Sequence, residues 1–180
     1  MSASQLAQGC LLVASPGLLD PNFARTVVLV IAHDAEGSFG LVLNRPLDHT
    51  LGDVLPDVDP AATGVPVLQG GPVQKQALQF MSRHEDTGRK VLPGLSVGAA
   101  LEDLLAASPG ADGIQAYLGY SGWGQGQLET ETAEGSWIVA PARPEHVFEV
   151  PAARLWASVL RELGGRYAWM AFEDGPLGDN

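Results

Sequence analysis

The chain has 180 residues, 46% hydrophobic and 17% charged, with 10 Lys and Arg against 21 Asp and Glu and a formal net charge of −11. That length suits a single domain, residues 1–180, able to bury roughly 70% of the surface its unfolded form exposes, and the composition excludes a disordered chain or one that needs a metal or disulfide staple. The acidic balance repels a phosphate backbone, which argues against direct nucleic-acid binding, and no run approaches the roughly 18 apolar residues of a membrane span.

The first apolar stretch runs from Cys10 to Ala14. Cys10 is the sole cysteine, so neither an intrachain disulfide nor a Cys-based structural zinc site can form. The approach to it, Leu6 to Gly9, lacks the basic residues and the long apolar region of a lipoprotein signal, and a cytoplasmic location is expected. Ser15 to Arg25 (SPGLLDPNFAR) then breaks periodicity with Pro16, Gly17 and Pro21, which predicts a loop with a helical turn near Phe23. Thr26 to Ala32 (TVVLVIA) is nearly all apolar and β-branched, as in a central strand covered on both faces.

The turn signal Asp34 to Gly37, followed by alternating Phe39, Leu41 and Leu43, predicts an antiparallel hairpin. Thr50 and Asp53 read as a capping box for a short helix ending before Pro56. Val67 to Gly71 and Ala77 to Arg83 read as strands around the break GGPV, whose glycines suit a tight turn or bulge. Arg83, His84, Arg89 and Lys90, interrupted by Glu85 and Asp86, read as a solvated hairpin end.

Ser96 is placed to cap a helix carrying Leu101, Leu104 and Leu105. Ile114, Ala116 and Leu118 mark a strand with one buried face, and Leu128 to Thr132 with Trp137 to Ala140 read as a hairpin around Glu134 and Gly135. A helix follows, with Pro151 at its first turn, Leu155, Val159, Leu160 and Leu163 on its inner face, and Gly164 and Gly165 at its end. Tyr167 to Phe172 reads as a final strand and residues 173–180 as a frayed tail. Adjacent hairpins with two substantial helices predict an α+β fold with a mostly antiparallel sheet.

Familiar chemistry is scarce. The four histidines, His33, His49, His84 and His146, lack zinc-site spacing, and no metal or cofactor is implied. In GYSGWGQG, Gly119 to Gly126, Ser121 is followed by Gly122 and Trp123, which breaks the nucleophile-elbow pattern. Counting from Gly122 and Gly124 puts Gln127 where a dinucleotide loop needs glycine. Glu129 and Glu131, two apart on the strand read at Leu128 to Thr132, put both carboxylates on one face, roughly 6.5 to 7 Å apart at the backbone, able to hold a cation or move a proton, or else simply solvated. Trp123, in a Gly-rich segment, either plugs the core or lines a pocket.

Taken together, LLVASPGLLDPNFARTVVLVIAH, GSFGLVLNRP, GGPV and GYSGWGQGQLETE, followed by Trp137 and the helix bearing Trp156, resemble the bacterial AlgH/YqgE family from about Leu11 to Leu163. The resemblance implies a cytosolic α+β protein whose mostly antiparallel, bifurcated sheet folds into a pseudo-barrel flanked by a few helices. It implies no established reaction; some members carry a transcriptional-regulator label. Pro16, Asp20, Phe23, Thr26, His33, Gly40, Asn44, Pro46, Gly71, Tyr120, Gly122, Trp123, Gln127, Leu128 and Glu129 match its motifs.

The resulting candidate surface is Asp20, Arg25, His33, Asn44, Arg45, Gly71, Tyr120, Trp123, Gln127 and Glu129. The leading expectation is a binding or regulatory module presenting this surface to a protein or small ligand. The alternative is a hydrolase or transferase using His33, Glu129 or Glu131, which requires those groups to converge with Asn44 or Arg45 in one pocket. A transcriptional regulator acting indirectly ranks third. Gly119 to Glu131 is expected to lie beside the Asp20 to Arg45 region.

Overall fold

A computed structural model of the chain describes residues 5–173, so the tail expected from residue 173 onward lies outside it except for Glu173, which closes the last helix. Ten strands make one sheet: β1 (Cys10–Ala14), β2 (Val27–Asp34), β3 (Gly37–Val42), β4 (Pro46–Thr50), β5 (Pro66–Gln69), β6 (Val73–Ser82), β7 (Arg89–Leu92), β8 (Leu95–Val97), β9 (Ile114–Gly124) and β10 (Trp137–Pro141). Its main path runs β10-β1-β2-β3-β9-β6-β8-β7, and the β5-β4 pair branches from β9. Among the described residues only the β5–β9 pairing is parallel. Both ends of the path have a single neighbour, so the barrel does not close. The fold is α+β, with helices α1 (Leu51–Val54), α2 (Leu101–Ala107), α3 (Gln127–Ala133), α4 (Pro144–Phe148), α5 (Ala152–Leu163) and α6 (Gly165–Glu173), and a 3-10 turn at Pro60–Ala62.

The branching follows from the length of β9. Its first half takes β5, at Ala116 to Leu118, while its second half takes β3, at Ser121 to Gly124. Gly70 sits at the fork, donating from its N–H to the Leu118 carbonyl at 2.7 Å and accepting from Val42 N at 2.9 Å. A Cβ on Gly70 would stand 2.4 Å from the Gly119 carbonyl oxygen, so only glycine lets the strands meet there.

Strands β1 and β2 are apolar on both faces because both are covered. Leu11, Val13, Val27 and Leu29 pack beneath Leu155, Trp156, Val159 and Leu160 of α5. Leu12, Val28 and Val30 face the opposite way, against Trp123, Leu128 and Trp137. This is the alternation a pleated strand imposes. A third cluster, including Leu51, Val67, Phe80 and Leu104, fills the branch under α1 and α2. Trp156 Nε1 donates to the Ala14 carbonyl at 2.8 Å, satisfying its buried polar edge and fixing α5 to β1.

The β2–β3 hairpin and the capping box hold as expected: Asp53 Oδ2 accepts from Thr50 N at 2.8 Å. That backbone bond, helped by the Thr50 hydroxyl, lowers the Asp53 carboxyl below its ordinary value. Cys10 is buried, and desolvation pushes its thiol up. The native chain is therefore expected to resist iodoacetamide at neutral pH and to be alkylated in denaturing urea, measurable by mass spectrometry.

Four sequence expectations are corrected. Ser96 caps no helix: it lies buried in β8 between β6 and β7, and α2 starts after Ala100. Leu128 to Thr132 forms helix α3 rather than one arm of a hairpin, because its period of two is polar on both phases and Leu128 alone is buried. Tyr167 to Phe172 is helical: Tyr167, Met170 and Ala171 pack inward at helical spacing while Trp169 and Phe172 are exposed. In β9, which runs on to Gly124, Tyr117 is buried on the face expected to be polar, and that burial pushes its phenol strongly up.

Candidate functional site

The Ser15–Arg25 connection has few ladder hydrogen bonds of its own, so its backbone groups need side-chain partners. Asn44 and Arg45, between β3 and β4, supply them. Asn44 Oδ1 accepts from Val27 N at 3.0 Å and its Nδ2 donates to the Arg25 carbonyl at 2.9 Å. Arg45 reaches the carbonyls of Pro21 and Ala24 at 2.9 and 3.0 Å. Within the loop, Asp20 accepts from Asn22 N at 2.9 Å and Thr26 donates to the Phe23 carbonyl at 2.8 Å. Arg25 adopts a left-handed φ of 57°, and its guanidinium lies 5.4 Å from the Trp156 ring centroid. Leu18 and Phe23 anchor the loop on the core, whereas Leu19 is 81% exposed.

Phe23 joins this loop to the second half of the candidate surface. Its ring centroid stands 6.0 Å from that of Trp123 and 5.5 Å from that of Trp137, and the two indoles are 5.9 Å apart. Rings this close touch one another, leaving no slot for a ligand between them. Trp123 is 5% exposed, so it plugs the core over β2. Glu131 Oε1 accepts from both indole Nε1 groups, at 3.4 Å from Trp123 and 3.3 Å from Trp137.

Helix α3 directs its two glutamates apart, since each residue turns about 100° and i, i+2 groups therefore diverge. While Glu131 meets the indoles, Glu129 Oε1 meets His33 Nε2 at 3.2 Å, and His33 Nδ1 contacts the Ser38 hydroxyl at 2.6 Å. The expected same-face carboxylate pair does not exist. Gln127 adds a third tie by accepting from Gly124 N at 3.0 Å. Tyr120 belongs to the other side of the sheet, its ring 4.7 Å from Phe39 and packed with the α5 cluster. Gly71 is at the sheet fork, where it helps line a recess with Asn22, Arg45 and Gln69.

Proton-transfer groups and the Asn44–Arg45 pair do not converge. Asn44 holds Val27 at one end of β2, and His33 is at the other, six residues or roughly 20 Å away along an extended strand. Ser38, His33 and Glu129 form a short chain of contacts, but Ser38 is paired on one side with His33 and on the other with Trp123. Its strand thus offers no free amide pair for an oxyanion. A cavity of about 370 Å³ opens instead between the loop and the C-terminal helices, lined by Arg25, Asn44, Arg45, Ala153 and Trp156. Among the described residues no three His, Cys, Asp or Glu side chains gather as a metal site, and no helix is long and apolar enough to cross a membrane.

Sequence reasoning missed Ser38, Leu19 and the structural role of Glu131. Glu131 as a shared indole acceptor leaves no sequence signal, because its partners are brought together by β9 and β10. Ser38 likewise becomes relevant only through the hairpin register that sets it opposite His33. Leu19 has no sequence signal that separates it from Leu18, which lies in the same loop and packs on the core.

Comparison with known proteins places these features in a family. The family model DUF179, described as AlgH-like, matches residues 11–168. A UPF0301 protein of Streptomyces coelicolor is 41% identical over 189 residues, covering 93% of each chain. A UPF0301 protein of Chlorobium luteolum is 38% identical over 174 residues, covering 93% of this chain and 91% of its own. Among solved structures, a Corynebacterium diphtheriae protein matches with a TM-score of 0.78 at 27% identity, over 95% of this chain and 94% of that one. The AlgH protein of Pseudomonas aeruginosa matches over the full length of both chains with a TM-score of 0.72 at 29% identity. By family match, sequence relatives and shared fold, this chain belongs to the AlgH-like family.

Proposed function

We propose that this protein is a non-catalytic binding module and that the Ser15–Arg25 loop is the element it presents to a protein partner. The observation that carries this reading is the division of labour around the loop. Asn44 and Arg45 direct their hydrogen bonds to its backbone and the segment after it, while Leu19 is 81% exposed. An apolar side chain on a loop already ordered by such ties can be buried by a partner with little further loss of chain entropy. A few fully buried side chains carry most of the energy of a protein interface.

Asp20 beside it and the net charge of −11 favour a partner face with a basic rim. The same charge disfavours a DNA duplex, so a regulatory role would run through a protein.

The test is a pull-down from the native host with wild type, Leu19→Asp and Trp169→Ala. The expected result is a partner retained by wild type and Trp169→Ala and recovered about tenfold less by Leu19→Asp, the loss of one interface anchor. Identical partner sets for all three, with unchanged thermal midpoints, would overturn the reading.

A further inference from the structure

Among the described residues strand β10 ends the main path of the sheet and pairs only with β1. In an antiparallel pair, successive residues turn their N–H and C=O groups alternately toward the partner and away from it. Ser15 N donates to the Ser136 carbonyl at 3.0 Å, whereas Ala14 N turns the other way, to the Thr26 carbonyl at 2.9 Å. The register Val13↔Ile138 and Leu11↔Ala140 continues that phase. Ile138 and Ala140 therefore face β1, and Trp137 and Val139 direct their backbone N–H and C=O groups out of the sheet. Among the described residues no hydrogen bond meets those outward groups.

The edge borders a groove. A cavity of about 400 Å³ is lined by Trp137, Ile138 and Val139 on one side and by Arg166, Tyr167 and Met170 of α6 on the other. Because three consecutive strand residues line it, although their side chains alternate between faces, it follows the strand edge itself. Thr132 also lines it, and the Thr132 hydroxyl is buried without a hydrogen-bond partner. Arg166 is the charged residue of the lining, and its guanidinium donates to the Tyr167 hydroxyl at 3.0 Å.

We propose that this groove binds an extended acidic peptide segment of another protein by strand addition to β10. The unpaired ladder groups call for backbone donors and acceptors at the strand repeat, which an extended peptide supplies. Three strand residues offer roughly 10 Å of edge, enough for about three peptide residues. Tyr167, Met170 and Ile138 meet its apolar side chains, and a carboxylate of the segment pairs with Arg166. The other occupant, β10 of a second copy, would bring together two chains of net charge −11 and offers Arg166 no carboxylate along Trp137–Pro141; a dimer in sedimentation velocity in place of peptide binding would overturn the proposal. This site is separate from the Leu19 surface, and Leu19→Asp is expected to leave it intact.

The test starts from a displayed library of random short peptides selected on the full chain. Enriched peptides are expected to alternate apolar residues and to carry Asp, Glu or a free C-terminal carboxylate. Synthesised, they should shift the Trp137 and Val139 amide resonances. Val139→Pro removes an outward N–H but no bond to β1, a position where an edge strand tolerates proline, and should weaken binding about tenfold, the worth of one hydrogen bond, at an unchanged thermal midpoint. Should that variant fold poorly, N-methylation of the peptide backbone is measured on wild-type protein, with the same loss expected; Arg166→Glu should weaken acidic peptides specifically. The proposal is overturned if no peptide is enriched, if N-methylated peptides bind undiminished, or if the Trp137 and Val139 amides are already protected from exchange in the free chain.

Discussion

Trp123→Ala should lower folding stability by about 3–5 kcal/mol, the usual cost of truncating a large buried aromatic. For a domain of this length that corresponds to a thermal midpoint roughly 10 °C lower. Trp123 is 5% exposed and fills the space between Phe23, Trp137 and the outer face of β2. Its removal leaves a cavity and takes away one of the two indole donors to Glu131. Since Phe23 lies against the same ring, the Ser15–Arg25 loop should loosen as well, seen as faster amide exchange at Ala24 and Thr26, whose N–H groups are bonded inside the loop. Trp169→Ala is the control: at 73% exposure its effect should stay within about 0.5 kcal/mol. Urea denaturation decides the matter. A Trp123→Ala chain with wild-type stability would mean that the indole lines a pocket instead of plugging the core.

The second large effect is expected at the sheet fork. A Cβ on Gly71 would stand 2.1 Å from the Tyr120 carbonyl oxygen, 2.2 Å from its carbon and 2.5 Å from Ser121 N. All three atoms are backbone in β9, so no side chain can swing aside, and β9 must move away from the segment joining β5 to β6. Gly71→Ala is therefore expected to cost more than about 4 kcal/mol, and its circular-dichroism melt should show a largely unfolded population at room temperature. Gly126→Ala separates contact from conformation: its φ is +72°, yet a Cβ there meets nothing within 4 Å. Only the left-handed backbone strain, about 1–2 kcal/mol, should appear. Equal midpoints for the two variants would show that the fork tolerates a methyl group.

These expectations give structural work to residues that sequence motifs single out as a candidate surface. Asn44 and Arg45 order a loop, Trp123 fills a core, Gln127 and Glu129 hold α3, and Gly71 permits a crossing of strands. The motif marks the joints of the fold, and the side chains left facing outward, such as Leu19, lie between the joints.

What could be read from the chain alone follows from short-range physics. The β-branched run at Thr26 to Ala32, the Gly-containing turn after it, the Thr50–Asp53 box and the amphipathic helix from Ala152 each state their structure within a few residues, through steric preference, turn geometry or burial period. Residues 127–133 and 167–172 did not, because their periodicity carried little or misleading hydrophobic contrast and tertiary packing chose the helix. The pairing of Glu131 with two distant indoles, the His33–Glu129 contact and the placement of Tyr120 opposite Trp123 belong to the tertiary structure alone. Each depends on strand register and on a bifurcation at β9, where a shift of one residue would send every side chain to the other face.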